Sequence, residues 1–323
     1  MKAVLIWLGV AVMVVSETAT LLRIEPFWSW NTPIAWTGFI LFADGVVYRA
    51  RGDSWIRSAP HEFAALALVS IPLWLVFEGY NLIIDNWNYT GLPENFLLRQ
   101  FGYAWSFATI WPAIFEGADL IGVMGGSGGP GRSGESGRSG GSGRPGGSGA
   151  SDRFRTDLRG LPDPPDPPDP PGPPGLPGPP GLPGLPGLAS IAVGALLLAS
   201  PLFVSPAAAR YMAAPVWLGF IFLLDPINAR RGGESLWIDV RAGDDRRLAN
   251  LALSGLLCGV LWEFWNFWSR AKWHYTVPIM ERWKIFEMPL SGYFGFPPFA
   301  LECFTMYVFV RRFVTRGGRT IAR

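Results

Sequence analysis

The sequence predicts an all-α membrane protein: about eight transmembrane helices, arranged as two parallel four-helix repeats joined by a Gly/Ser/Pro-rich linker. Three observations predict it: eight apolar runs of bilayer-crossing length, an internal duplication, and the confinement of much of the glycine and proline to one central segment. The 323 residues are 49% hydrophobic, 14% aromatic and only 16% charged. Residues 125–187 hold 20 of the 40 glycines and 16 of the 30 prolines, but none of the 16 tryptophans. Without that segment, well over half of the chain is apolar, above the usual figure for a soluble domain.

The apolar runs lie near 3–22, 33–48, 62–84, 100–123, 188–206, 211–228, 247–268 and 290–312. About 20 apolar residues cross a bilayer core, so the short second and sixth runs are expected to tilt little or to pair deeply with their neighbours. The first run begins like a signal peptide, but Glu17 interrupts it and a Trp-rich segment follows. It is therefore read as a retained helix. Lys2, Arg49, Arg51, Arg57, Arg230, Arg231, Arg241, Arg246, Arg247, Arg311, Arg312, Arg316, Arg319 and Arg323 fall on one side of eight such spans. Basic loops stay cytoplasmic, which places both termini and the linker there. Arg270, Lys272, Arg282 and Lys284 run against this count.

The duplication emerges when the halves are aligned. Trp36-Thr37-Gly38-Phe39-Ile40 answers Trp217-Leu218-Gly219-Phe220-Ile221, and Asp44 and Ser54 answer Asp225 and Ser235. Glu78-Gly79-Tyr80-Asn81 answers Glu263-Phe264-Trp265-Asn266. Trp87-Asn88-Tyr89-Thr90 answers Trp273-His274-Tyr275-Thr276, and Pro112 with Glu116 answers Pro298 with Glu302. The offset drifts only from 181 to 186 over this stretch. Four spans per half is an even number, so the two halves enter from the same side. They are expected to be related by an axis along the membrane normal.

The domain boundaries follow: a repeat over 1–123, a linker over 124–187, and a second repeat over 188–323. The linker opens as a Gly/Ser/Arg coil, then places glycine at every third position from Gly172 to Gly187 among prolines. That period suits a collagen-like helix, but six triplets are few, and a semi-rigid polyproline spacer is the simpler reading.

The net charge of +2 gives no case for nucleic-acid binding. Two histidines, His61 and His274, and two separate cysteines, Cys258 and Cys303, leave no pattern for a metal or haem site. No cofactor is expected. The chemistry-bearing residues are instead acids within apolar helices. Glu78 and Asn81 share a helix face with Trp74, and Glu263 with Asn266 repeats the pair beside Trp265. Glu116 and Glu302 each follow a proline by four residues, where a kink is allowed. A carboxylate at membrane depth costs at least about 2.5 kcal/mol, so four in matched positions call for a purpose or a compensating network. Glu78, Glu116, Glu263 and Glu302 are the candidate acid–base residues. Asn81, Asn266, Trp74, Trp265, Tyr89, Tyr275 and His274 are the candidate ligand contacts. The structural alternative is that these groups only bond helices together. Asp44 and Asp225 are read as anchors for Arg49 and Arg230, while Glu17 has no acidic counterpart. Glu287, near His274, is a further acidic candidate at the outer interface. It sits in a run with glycines and prolines that suggests a broken helix start.

The run FEMPLSGYFGFPPFALECF, preceded by WEFWN and KWHYTVP, resembles a signature of uncharacterised bacterial integral membrane proteins. That resemblance implies the bacterial inner membrane and no particular activity. The duplicated bundle, with acids following prolines, is more loosely similar to membrane lycopene cyclases. Those enzymes carry Pro-x-Glu-Glu where this chain has Pro112-x-x-x-Glu116 and Pro298-x-x-x-Glu302. The expected function is binding of an apolar or amphipathic, isoprenoid- or lipid-like ligand between the repeats, with cofactor-independent isomerisation or cyclisation as the accompanying chemistry. The alternatives are a proton-coupled transporter and a membrane scaffold. Homo-oligomerisation is left open.

Overall fold

Segments rich in Leu, Val, Ile, Ala and Phe become helices here because a backbone in apolar surroundings must satisfy its N–H and C=O groups internally. A computed structural model describes residues 3–126, 185–280, 282–314 and 318–322, and these contain eleven α-helices and four short strands. The first half holds α1 (Val4–Leu21), α2 (Phe27–Arg51), α3 (Trp55–Ser58), α4 (Pro60–Ile84), β1 (Trp87–Thr90) and α5 (Phe96–Met124). The second opens with α6 (Leu185–Ala199), α7 (Pro206–Ala209), α8 (Ala213–Arg230), α9 (Leu236–Arg241) and α10 (Arg246–Trp268). It closes with β2 (Lys272–Tyr275), β3 (Lys284–Ile285), β4 (Met288–Pro289) and α11 (Phe296–Val314).

All eight apolar runs are helical. Five segments are long and apolar enough to cross a membrane: α1, α4, α5, α10 and Leu290–Val314. The other three differ for visible reasons. α6 has only 15 residues, α2 carries Asn31, Asp44, Arg49 and Arg51, and α8 ends in Asp225, Pro226, Asn228 and Arg230. Of the expected linker, residues 127–184 lie outside the described residues, and the glycine triplets fall largely there. α5 and α6 each extend slightly past the expected boundaries.

Two local departures have covalent causes. α2 is longer than its apolar run because the Trp-rich entry joins it across a break at Trp30 (φ −122°, ψ 27°). Pro33 lies three residues on, where its ring and missing N–H disfavour a regular preceding turn. The irregular start expected before α11 takes the form of a 3-10 helix, Leu290–Gly295.

Helix pairs pack through small residues. A side chain at Gly9 of α1 would overlap the backbone of Gly38 and Phe42 on α2, and Gly194 of α6 stands equally close to Gly219 and Leu223 of α8. α5 packs against α2, α4 and α10, while α11 packs against α8 and α10. Trp111, fully buried, donates its indole N–H to the Cys303 carbonyl at 2.9 Å and so ties α5 to α11. The described residues on both sides of the linker thus belong to one compact unit.

The two ends of this unit are finished differently. At one, β1 and β2 pair as an antiparallel ribbon, with Trp87 opposite Tyr275, Asn88 opposite His274 and Tyr89 opposite Trp273. At the other, the buried Arg247 bonds to Asp239 and, at 2.6 Å, to Glu234, which also takes Arg311 at 2.6 Å. The C-terminal Ile321 and Ala322 are buried against this lattice, their carbonyls accepting from Arg247 at 3.0 Å and Asn250 at 3.2 Å.

Candidate functional site

The ribbon end holds the candidate site, and its construction starts on α4. Trp74 and Glu78 lie one helical turn apart, so the indole N–H reaches the Glu78 carboxylate at 2.8 Å. The same oxygen accepts the Tyr89 hydroxyl at 2.5 Å and the Trp87 indole at 3.3 Å. The second half repeats the motif with fewer donors. Glu263, fully buried, accepts the Tyr275 hydroxyl at 2.9 Å, and Trp273 donates to that hydroxyl at 2.9 Å. The other Glu263 oxygen is buried with no partner among the described residues.

Asn81 and Asn266 serve the backbone. Asn81 donates to the Trp87 carbonyl at 2.8 Å and accepts from the Asn86 amide at 2.9 Å. Asn266 both donates to the Trp273 carbonyl and accepts from the Trp273 amide, each at 2.9 Å. Each amide pegs the start of a strand to the end of the preceding helix. That peg aims Tyr89 and Tyr275 inward.

Between the two Tyr–Glu pairs lies a cavity of about 120 Å³, walled chiefly by Trp36, Trp74, Trp87, Trp262, Trp273, Phe299, Tyr89 and Tyr275. Such a volume fits a slender apolar segment rather than a whole drug-sized molecule. None of Glu78, Glu116, Glu263 and Glu302 lines it. Glu78 and Glu263 stand behind the tyrosines, which interpose their hydroxyls between carboxylate and cavity. Burial, then the adjacent Glu78, raises the Tyr89 hydroxyl well above the ordinary phenol value. Burial and Glu263 do the same to Tyr275. Both phenols therefore act as proton-bearing donors, with the carboxylates as their acceptors.

The remaining expected contacts lie elsewhere. Trp265 is buried against Trp36, ring centroids 4.7 Å apart, in the packing behind the cavity. His274 faces outward on the ribbon, with Nδ1 3.0 Å from Glu287 and Nε2 3.1 Å from the Thr90 hydroxyl. Lys272 also reaches Glu287, at 2.9 Å. Burial tends to raise the Glu287 carboxyl, but the Lys272 and His274 contacts outweigh it, leaving it below the usual glutamate value.

Glu116 and Glu302 stay out of the cavity, fully buried and with both oxygens unpartnered among the described residues. Glu116 faces Asp44, Asp119 and Arg319. Asp44 and Asp225 do not pair with Arg49 and Arg230. Asp44 accepts the Ile56 amide at 2.8 Å, and Asp225 accepts Leu236 and Trp237 amides at 2.9 and 3.0 Å. The first amides of α3 and α9 lack intrahelical partners, and these carboxylates supply them. Glu17 accepts the Asn31 amide at 2.9 Å.

Trp30, Trp36, Trp217, Tyr103, Phe299 and Arg99 also line the cavity and were not among the expected contacts. The duplication held a usable signal for one pair, since Trp36 and Trp217 head the same matched motif. Among the described residues, no group of three or more His, Cys, Asp and Glu is arranged to hold a metal ion. Protein-family models, curated proteins and solved structures contain no match to this chain.

Proposed function

We propose that this is a duplicated eight-span protein of the bacterial inner membrane, with both termini cytoplasmic, that binds an apolar or amphipathic, isoprenoid- or lipid-like ligand between its two repeats. The observation that carries the reading is the aromatic cavity flanked by two Tyr–Glu pairs, one from each half. The ribbon register supports the twofold relation. Trp87 answers Trp273 and Tyr89 answers Tyr275, yet each Trp pairs with the other half's Tyr, and the equivalent Asn88 and His274 face each other. An axis through that central pair exchanges the strands. Matched positions also wall the cavity: Trp36 with Trp217, Trp87 with Trp273, and Tyr89 with Tyr275.

In this reading the intramembrane Glu78 and Glu263 act through Tyr89 and Tyr275. A protonated carboxyl in one pair can pass its proton through its phenol to a bound apolar group. The ionised carboxylate of the other pair takes a proton back from that group through its own phenol, the balanced exchange of a cofactor-independent isomerase or cyclase. Proton-coupled transport is the second reading. It is favoured by Glu116 and Asp44, whose facing carboxyl groups could share a proton away from the cavity.

Co-purified lipid and pigment, extracted and identified by mass spectrometry, test the first reading in wild type, Glu263→Gln and Tyr275→Phe. A bound apolar species lost or altered in the variants while the protein stays folded supports it. Proton flux in liposomes that vanishes in Glu116→Gln would replace it with transport. Loss of folded protein in every variant would leave the acids as scaffold.

A further inference from the structure

Building on the ligand-binding reading, we infer that the cavity takes a single-chain amphiphile with an anionic head, a carboxylate or phosphate, held by Arg99. Among the described residues, two charged side chains line the cavity, Arg99 and Lys272, and both are cations. Lys272 is matched by Glu287 at 2.9 Å. Arg99 has no ion-pair partner among the described residues. The wall therefore carries one uncompensated positive charge. A half-buried guanidinium presents several donors in a fixed fork, the geometry that recognises carboxylate and phosphate.

The placement of Arg99 says which way the ligand lies. Asn95 caps α5, accepting the Leu98 amide at 3.1 Å, and Arg99 follows in the first turn, near the positive end of the helix dipole. Gly102 and Tyr103, one turn further, already belong to the cavity wall, and Ser106 and Phe107 continue it inward. Phe96, Leu97, Leu98 and Phe101 around Arg99 are exposed, an apolar collar at the mouth. A chain inserted along α5 would keep its tail among the Trp and Phe rings and its head at Arg99. About 120 Å³ is close to the volume that holds one benzene-sized group, so the cavity takes the few carbons of one short chain and not the two chains of a phospholipid.

Seven of the 16 tryptophans line the cavity, so intrinsic fluorescence reads its occupancy directly. The 323-residue chain, delipidated in a neutral detergent, is titrated with hexanoate, hexyl phosphate, hexanol and phosphatidylglycerol. The two single-chain anions should bind roughly tenfold or more tightly than the alcohol, the scale of a charge-assisted hydrogen bond. Arg99→Gln should erase that preference while keeping alcohol binding, and Arg99→Lys, which keeps the charge but not the fork, should keep only part of it. Gly102→Phe, placed where a Cβ meets nothing nearer than the Trp30 indole nitrogen at 3.7 Å, should block every ligand. Equal binding of acid and alcohol, or an unchanged preference in Arg99→Gln, overturns the inference while leaving the cavity as a binding site. A response to phosphatidylglycerol alone assigns Arg99 to a bilayer headgroup and also overturns it. If no amphiphile changes the fluorescence of the wild type, the ligand-binding reading itself fails.

Discussion

The ribbon end and the tail end of this molecule both bury carboxylates, yet they handle them in opposite ways. At the ribbon end, Glu78 and Glu263 are met by neutral donors, the tyrosine hydroxyls and tryptophan indoles. At the tail end, Glu234, Asp239 and Asp119 are met by arginines. Neutral partners satisfy the carboxylates through shared protons and without a counter-charge. Ion pairs fix their charges and hold chain segments together. Acids thus stand behind the tyrosines of a cavity at one end and hold a clasp on the C-terminal tail at the other.

Breaking the clasp should have the largest effect. Arg247→Met removes the cation shared by Asp239 and Glu234 and the donor to the Ile321 carbonyl. Leaving buried carboxylates without their counter-charge costs about 3–5 kcal/mol. The expected outcome is a large drop in melting temperature or in folded yield. An unchanged melting curve would contradict the contrast drawn between the two ends.

The two Tyr–Glu pairs sharpen the comparison at the next scale. Tyr275→Phe withdraws a donor from the fully buried Glu263, whose second oxygen already lacks a partner. A cost of about 1–3 kcal/mol is expected. Tyr89→Phe should cost less, because Glu78 keeps Trp74 and Trp87. Thermal melts of the two variants side by side decide it, and equal losses would mean the halves are energetically equivalent after all.

Alkaline titration comes third. Tyr89 and Tyr275 have phenols raised above the ordinary value, so the folded state holds their protons while the unfolded chain releases them. Stability is therefore lost as pH rises above the ordinary phenol value of about 10. Ultraviolet titration should find Tyr89 and Tyr275 among the tyrosines that stay silent until the protein unfolds. Substituting either by phenylalanine removes one of them.

The smallest effect is expected at the outer face of the ribbon. The Glu287 carboxyl is lowered, so its stabilising contacts with Lys272 and His274 are complete above the usual glutamate value. They are lost as pH falls through the lowered one. Hydrogen exchange in β2 should quicken over that acidic window, and Glu287→Gln should flatten the dependence. Any stability change should stay below about 1 kcal/mol, as for most exposed ion pairs.

Much of this contrast is legible in the amino-acid sequence. The apolar runs announced the helices, and matched motifs singled out Glu78 with Glu263 and Tyr89 with Tyr275. The ribbon was not legible, because β1 finds its partner in the other half of the chain, and Trp-Asn-Tyr-Thr alone does not say what it pairs with. Nor was the role of Asn81 and Asn266, whose amides look like ligand contacts until the strand ends they peg are in place. Asp44 and Asp225 were assigned to the nearest arginines in sequence. The free amides of α3 and α9 are nearer in space.

The amino-acid sequence by itself determined the helical class, the membrane-like composition and the residues carrying chemistry, because these follow from local periodicity and from the cost of polar groups in apolar runs. Only the tertiary structure decided which carboxylates stand near the cavity, that tyrosines come between them and it, and that Arg99 is a cavity-lining cation with no ion-pair partner among the described residues. Those outcomes depend on contacts between residues far apart in the chain. Such contacts form only when side chains compete in three dimensions for a limited set of donors and acceptors.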